Sequence, residues 1–294
     1  MSLGIFLLYQ GLLAECFVGY GQGYEGALAK VELSPEKYLD FIAFYVICCI
    51  SCLDKPSPRS QSMSADVNLL LKLPTTQAFD QWLALPGEWV EEPNARRGGE
   101  SGVKRVMSAS GKLLYRKQQV GHTYRSLRHP MGYPTVMRER NVLLACAALK
   151  VIVPTLLYAE CRKQDGVWQA LLITEALEGF SSLEECYARG DEQLWGEPLH
   201  LRILQEVGAC IARFNLGRWQ HGCLRMKHVF VRVQGEKIEI ALLDLEKSRR
   251  LLRAKAAAKH DIKQLKRHSS WSAAQWQSFI YGYETEFGCA FKGM

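Results

Sequence analysis

At 294 residues, 48% hydrophobic and 23% charged, the chain has the size and balance of a globular enzyme, which excludes a disordered segment and a polytopic membrane protein. Its net charge of +7 at pH 7 favours anionic partners such as nucleotides, phosphorylated sugars, an anionic membrane face or nucleic acid, without choosing among them. Ten cysteines without regular spacing, in a chain too long to be a disulfide miniprotein, are expected to be reduced thiols of a cytoplasmic protein.

Residues 1–62 differ in character from the rest, with four Lys/Arg against six Asp/Glu, so the basic excess belongs to the later part. Their apolar stretch Phe41–Leu53 is shorter than the roughly 20 residues a spanning helix needs. The opening residues lack the basic flank and cleavage site of a secretory signal, so export is not expected. Cys49 and Cys52 form a lone CxxC with no second pair to complete a metal site. The proline- and serine-containing stretch Asp54–Ser64 reads as a linker, and Met63 as the natural start of a domain running to Met294. A docking helix pair or a peripheral anchor remains the other reading of residues 1–62.

From Met63 onward, Gly98, Gly99 and Gly102 stand in a turn between strands, followed by strands at Val103–Met107 and Leu113–Lys117. Glycines let backbone amides approach a phosphate closely, and they also serve ordinary hairpin turns. Lys117 ends an apolar strand. Pro134 and Thr135 then open a helix, with Thr135 as its expected cap and apolar residues at 136, 143, 144 and 147. Glu139, one turn in, is placed to pair with Lys117 and hold it against a triphosphate; the plainer reading is a surface glutamate beside Arg138 and Arg140.

Two further strands, Pro154–Tyr158 and Ala170–Thr174, lead to Glu175, Ala176, Leu177, Glu178 and Gly179, expected to be a hinge between lobes whose backbone faces an adenine ring. The spacing of 204, 207, 211 and 214 predicts a helix over Pro198–Leu216. A loop with His221, Cys223 and His228 follows, and then strands at Val229–Val233 and Ile238–Leu245 with Asp244 near the end of the second. An acid so placed is costly without a partner or a task. His221, Cys223 and His228 are also residue types that zinc prefers, though no fourth ligand accompanies them.

In this order the segments RRGGESGV, LYRKQ, RHPMGYPTVMRE, HGCLRMKHVFV and LLDLEKSR resemble the lipopolysaccharide kinase family, which includes heptose and Kdo kinases, and its acid-inducible branch. The resemblance spans roughly Pro93 to Arg267. It implies an α+β, two-lobed protein-kinase-like fold, with a small β-rich lobe over about 63–176 and a helical lobe over about 177–294. It further implies ATP and Mg²⁺ as cofactors, Lys117 and Glu139 as the nucleotide-positioning pair, Asp244 as the metal-holding aspartate and His228 at the metal-binding asparagine position. His221 falls at the histidine of the catalytic loop. Cys223 falls where the family's kinases carry the aspartate that accepts the hydroxyl proton, and a thiol of ordinary acidity is mostly protonated at neutral pH.

The implied activity is phosphorylation of a sugar hydroxyl of lipopolysaccharide core, by a cytoplasmic protein in peripheral contact with the inner membrane. The alternative, motivated by Cys223, is a pseudokinase acting as an ATP-binding stress-response module. His122, Arg125, Arg128, His129, Arg138 and Arg140 form a basic cluster suited to an anionic glycolipid, to ATP or simply to solvent. The basic tail from Arg249 to His268 is expected to be helical and solvated, and its lack of interleaved aromatics argues against nucleic acid.

Overall fold

A computed structural model describes residues 67–96 and 98–290, so the expectations for residues 1–62 lie outside the described residues. Helices α1 (Val67–Lys72) and α2 (Thr75–Ala84) pack on a five-stranded antiparallel sheet. Its strands are β1 (Glu88–Arg96), β2 (Gly99–Met107), β3 (Leu113–Val120), β6 (Leu156–Gln164) and β7 (Val167–Glu175), in the order β1-β2-β3-β7-β6. Leu70, Phe79, Trp82, Val106, Leu114, Leu171 and Ile173 form this small lobe's own core.

One side chain of β3 fastens the helices to the sheet. The buried Arg116 guanidinium donates to the carbonyls of Trp82, Leu83 and Leu85 at 2.7, 3.0 and 2.7 Å, serving the orphan acceptors at the negative end of α2. Its neighbour in sequence, Lys117, points to the opposite face, as the two-residue period of a strand requires.

Between β3 and helix α3 (Thr135–Ala148) lies a hairpin of β4 (Thr123–Ser126) and β5 (His129–Pro134). Helix α3 buries Val136, Met137, Glu139, Val142, Leu143 and Cys146 and turns Leu144 outward. The expected stripe of 136, 143, 144 and 147 was rotated because it left out Glu139, which faces inward to meet Lys117. Thr135 is not the cap either. Pro134 holds that position, and the free amide of Val136 donates to Gln119 Oε1 at 3.0 Å.

The second lobe is helical. Ser182 and Glu185 close a capping box on α4 (Leu183–Arg189), which follows the short strand β8 (Ser181–Ser182). Helix α5 (Asp191–Leu216) is broken at Gly196, whose φ of 68° is not helical, so its long continuous part begins at about Pro198 as the spacing predicts. Helix α6 spans Ala254–Arg267 and α7 spans Ala273–Phe287. Helices α5 and α7 touch backbone to backbone: a Cβ on Gly208 would lie 2.2 Å from the Phe279 carbonyl oxygen, and one on Gly282 would lie 2.1 Å from that of Gln205.

After α5 come β9 (Trp219–Gln220), the loop with a 3₁₀ turn at Met226–His228, the hairpin of β10 (Val229–Gln234) and β11 (Lys237–Leu242), a second 3₁₀ turn at Leu245–Lys247, and β12 (Arg249–Arg250), which pairs with β9. The tail is helical but not merely solvated, since α6 buries Ala257, Ala258, Asp261, Ile262 and Leu265. Its lysines and arginines lie on the other face, and the high charge concealed the apolar stripe.

Candidate active site

Strand β3 and helix α3 bring the predicted basic and acidic pair together. Lys117 Nζ lies 2.9 Å from Glu139 Oε2, with both side chains largely buried. A third group joins them, because Glu246 Oε2 lies 2.5 Å from the same nitrogen. The other oxygen of Glu246 accepts from Thr135 Oγ1 at 2.9 Å and faces His122 Nε2 at 3.2 Å, while Arg138 Nε donates to the Glu246 carbonyl at 2.8 Å.

The charges in this cluster are not shared evenly. Burial works to lower the pKa of Lys117, but the two carboxylates outweigh it and raise the value, so the ammonium stays charged. Burial works to raise Glu246, yet Lys117, Thr135 and His122 hold it down to about 2. Glu139 is pushed up: burial dominates over the attraction of Lys117, with Glu246 and Asp244 adding repulsion. Lys117 is thus neutralised by two carboxylates, Glu139 as expected from the sequence and Glu246 beside it.

Behind the second half of the site stands a carboxylate from α6. Asp261, fully buried, accepts from the amides of His221 at 2.8 Å and Gly222 at 3.3 Å and from Asn215 Nδ2 at 2.9 Å; Tyr283 Oη in turn donates to Asn215 Oδ1 at 2.9 Å. Gly222 has φ of 81°, and a Cβ there would lie 2.7 Å from the Lys247 carbonyl oxygen, so the loop is fixed against the segment that follows Asp244. His221 Nε2 bonds the Leu243 carbonyl at 3.0 Å, and the Leu243 amide donates to the His228 carbonyl at 3.0 Å.

His221 and His228 stack face to face, centroids 5.4 Å apart and planes 10° from parallel. His228 Nδ1 lies 2.6 Å from the Cys223 carbonyl oxygen, which can only accept, so that nitrogen carries the proton. The other nitrogen, Nε2, lies 3.3 Å from Asp244 Oδ2. Burial lowers both histidines, His228 to about 4 even with Asp244 beside it. Asp244 itself is not a buried acid: its side chain is 40% exposed, and its φ of 58° turns it out of the strand path.

Cys223 Sγ lies 4.0 Å from Lys247 Nζ. The zinc geometry is not formed: the two histidines stack instead of converging, and among the described residues no three His, Cys, Asp or Glu side chains are grouped to hold a metal. Asp244 and His228, an acid and an imidazole nitrogen 3.3 Å apart, are the residues present that could hold a cation together with phosphate oxygens.

Gly98 and Gly99 make the β1–β2 turn, Gly98 at φ of 75°. A Cβ on Gly99 would lie 2.3 Å from the His122 amide nitrogen, so this turn rests on the strand end that also carries His122. Gly102 has a packing reason, since a Cβ there would lie 2.8 Å from the Trp89 ring. The Glu175 and Ala176 amides, expected to face adenine, are spent on the carbonyls of Thr155 and Leu113, both at 2.9 Å, and the Glu175 side chain pairs with Lys112 at 3.1 Å. Glu175 thus ends β7. A cleft of about 360 Å³, lined by Leu70, Leu144 and Tyr158 among others, lies on the outward face of α3, away from these groups.

The lysine and the two glutamates thus meet in one cluster, and the aspartate faces the loop histidine His228. A family model for the lipopolysaccharide kinase (Kdo/WaaP) family matches residues 80–283. The chain belongs to that family. It is 40% identical over 190 residues to Protein InaA of Escherichia coli (strain K12), an alignment that covers 65% of this chain and 87% of the relative. In fold it is similar to the structure titled "WaaP in complex with acyl carrier protein", with a TM-score of 0.56 at 16% identity, over 70% of this chain and 82% of the other. The expected two-lobed kinase fold and the kinase assignment hold. No helix among the described residues is long and apolar enough to cross a membrane.

Glu246 and Asp261 are the two site residues that the sequence reading passed over. Glu246 lies two residues after Asp244, where a kinase's DFG motif has glycine, and a charged residue at that place is the signal the sequence carries. Asp261 was hidden in a basic tail. Its signal was a single acid among lysines at the helical spacing of Ala257, Ala258, Ile262 and Leu265.

Proposed function

We propose that the protein is an ATP-dependent phosphotransferase that phosphorylates a sugar hydroxyl of lipopolysaccharide core, and that it works in the cytoplasm at the inner face of the inner membrane, where such an acceptor is carried. The observation that supports this best is the ion-pair network joining Lys117 and Glu139 of the small lobe to Glu246, two residues beyond Asp244. In phosphoryl transfer most of the catalysis is positioning and charge neutralisation, which is what such a network serves.

ATP with its divalent cation, Mg²⁺ in the first instance, supplies the phosphoryl group and neutralises part of the triphosphate charge. Lys117 holds the α and β phosphates, the amides around Gly98 and Gly99 cover them, and the backbone after Glu175 receives adenine. Asp244 and His228 hold the cation. The exposed Arg125 and Arg128 on the β4–β5 hairpin suit an anionic glycolipid better than nucleic acid, since arginine forks match phosphate. Cys223 stands where the hydroxyl proton leaves. General-base help contributes typically about 10² to 10⁴ in rate, so a thiol there lowers turnover without removing nucleotide binding.

A second reading, an ATP-binding pseudokinase module, is favoured by Cys223 itself, whose sulfur has Lys247 at 4.0 Å and no carboxylate in the base's place. The test is ATP binding and turnover by the full chain, with and without purified lipopolysaccharide, beside Cys223→Asp. Acceptor-dependent turnover supports the transferase. Binding without turnover, with Cys223→Asp gaining activity, moves the function to the second reading; absence of nucleotide binding overturns both.

A further inference from the structure

We infer that helix α6 and the β12 strand before it form a docking face for an anionic lipid bilayer, with Leu252 as the side chain that enters it. The inference rests on the membrane-borne acceptor proposed above and assigns the surface that meets the membrane.

The charge of the whole chain is gathered on this face. Residues Arg249 to His268 hold eight Lys/Arg against one acid, Asp261, an excess equal to the chain's net charge of +7, so the remaining residues sum to zero. All eight cations are exposed, and among the described residues none of them pairs with a carboxylate. Asp261 is buried and turned inward to the His221 loop. Lys255, Lys259, Lys263 and Arg267 follow one another at intervals of four, so like charges are neighbours along the outer row of α6, which lowers the stability of a helix. Folding gives no reason for such a row, whereas an anionic partner does.

Two observations choose a bilayer over other polyanions. Leu252 stands between the arginines, 93% exposed, in a turn that is held on both sides: Arg249 and Arg250 pair with Gln220 and Trp219 of β9, the Leu251 amide donates to the Arg218 carbonyl at 2.7 Å, and α6 starts at Ala254. A leucine presented among arginines suits the boundary of headgroups and acyl chains, where the cations meet phosphate and the apolar side chain leaves water. The segment also holds no Phe, Tyr or Trp on which a base could stack. Clusters of about four to eight Lys/Arg are the size that recognises anionic headgroups. The face adjoins the candidate site, since β12 begins five residues after Asp244 and the inner side of α6 supplies Asp261 to the loop amides.

The experiment is co-sedimentation of the full chain with vesicles of phosphatidylcholine alone and of phosphatidylcholine with about 30% phosphatidylglycerol, at about 0.05 and 0.5 M salt. Binding is expected to be about tenfold or more tighter to the anionic vesicles and to fall by about tenfold or more at the higher salt. Lys259→Glu with Lys263→Glu, at exposed positions where glutamate is as good a helix former, is expected to weaken it about tenfold, and Lys72→Glu with Lys163→Glu, an equal change of charge on the small lobe, less than about twofold. Leu252→Ser is expected to weaken it about threefold with the salt dependence kept. Equal binding to both vesicles, binding that salt leaves unchanged, equal loss in the two double variants, or an unaffected Leu252→Ser overturns the inference. The first two outcomes are read on the natural protein and need no variant to fold. Duplex DNA bound as tightly as the anionic vesicles at the same salt assigns the face to nucleic acid and overturns it as well. Neither ATP nor lipopolysaccharide is present, so such a failure leaves the transferase reading to its own turnover test; a chain that docks without acceptor-dependent turnover overturns that reading while the docking stands.

Discussion

Glu246 anchors Lys117: one carboxylate oxygen lies 2.5 Å from the ammonium nitrogen, and the other accepts from Thr135 at the start of α3. The segment after Asp244 is thus tied to the small lobe through a charge, in addition to Glu139. Removing a sole partner of a buried charge costs about 3 to 5 kcal/mol, but Lys117 keeps Glu139 when Glu246 is lost. Glu246→Ala is therefore expected to cost less than that range in chemical denaturation and to weaken ATP binding, because Lys117 and α3 lose their common reference.

The same pair sets an acid dependence. Glu246 is held at about 2 in the fold, below the ordinary carboxylate value, so its contribution is fully present above about pH 4.5 and is lost as pH falls toward 2. Glu246→Gln is expected to flatten the acid limb of the stability curve over that window. Glu139, which is raised in the fold, acts in the opposite sense, so Glu139→Gln should not flatten it. Denaturant midpoints measured at several pH values between 2 and 6 check both signs.

The closest helix contact of the large lobe makes a second, independent prediction. A methyl group on Gly208 would stand 2.2 Å from a backbone oxygen of α7, which no side-chain adjustment can relieve. Gly208→Ala is expected to destabilise by about 3 kcal/mol or more, against a helix-propensity gain of about 1. Thermal melting decides it: an unchanged or raised Tm would mean that α5 and α7 are not in backbone contact.

How much of this could be read beforehand follows from the range over which each signal acts. Strands β3 and β7, the helix after Pro134 and the long helix ending at Leu216 follow from local periodicity and turn residues, which need no partner. Lys117, Glu139, Asp244 and His228 were legible as ordered motifs of a known family. The inward turn of Glu139, the anchoring by Glu246 and the support of the loop by Asp261 were not, because each is a long-range pairing between charges. A composition reading takes such residues for surface. The commitment of the Glu175 amide to the Thr155 carbonyl is hidden for a related reason, being a bond that only the sheet register reveals.

Asp261 carries the third prediction. Its carboxylate accepts from two loop amides and from Asn215, so Asp261→Ala strands three buried donors, each costing about 1 to 3 kcal/mol when left unpaired. The variant is expected to lose much of its stability. Asp261→Asn keeps the volume and one acceptor, and is expected to fold with a weakened loop, read as faster amide exchange at His221 and Gly222. Equal exchange in the natural protein and Asp261→Asn would show that the carboxylate does not hold the loop.

Asp244 and Lys117 separate folding from function, and the fourth prediction uses the difference between them. Lys117→Ala leaves Glu139 and Glu246 buried against each other, so a loss of activity there is confounded by a loss of stability. Asp244 has a side chain 40% exposed, and its ion-pair partner among the described residues, His228, keeps its own bond to Cys223. Asp244→Ala is therefore expected to leave the melting temperature within a few degrees while ATP turnover falls by about 10³ or more, the scale expected when a cation that stabilises the transferring phosphoryl group is lost. Melting and turnover measured on the same preparation check it. Undiminished turnover in a folded Asp244→Ala protein would remove Asp244 from the machinery, and with it the proposed transferase chemistry of this cleft.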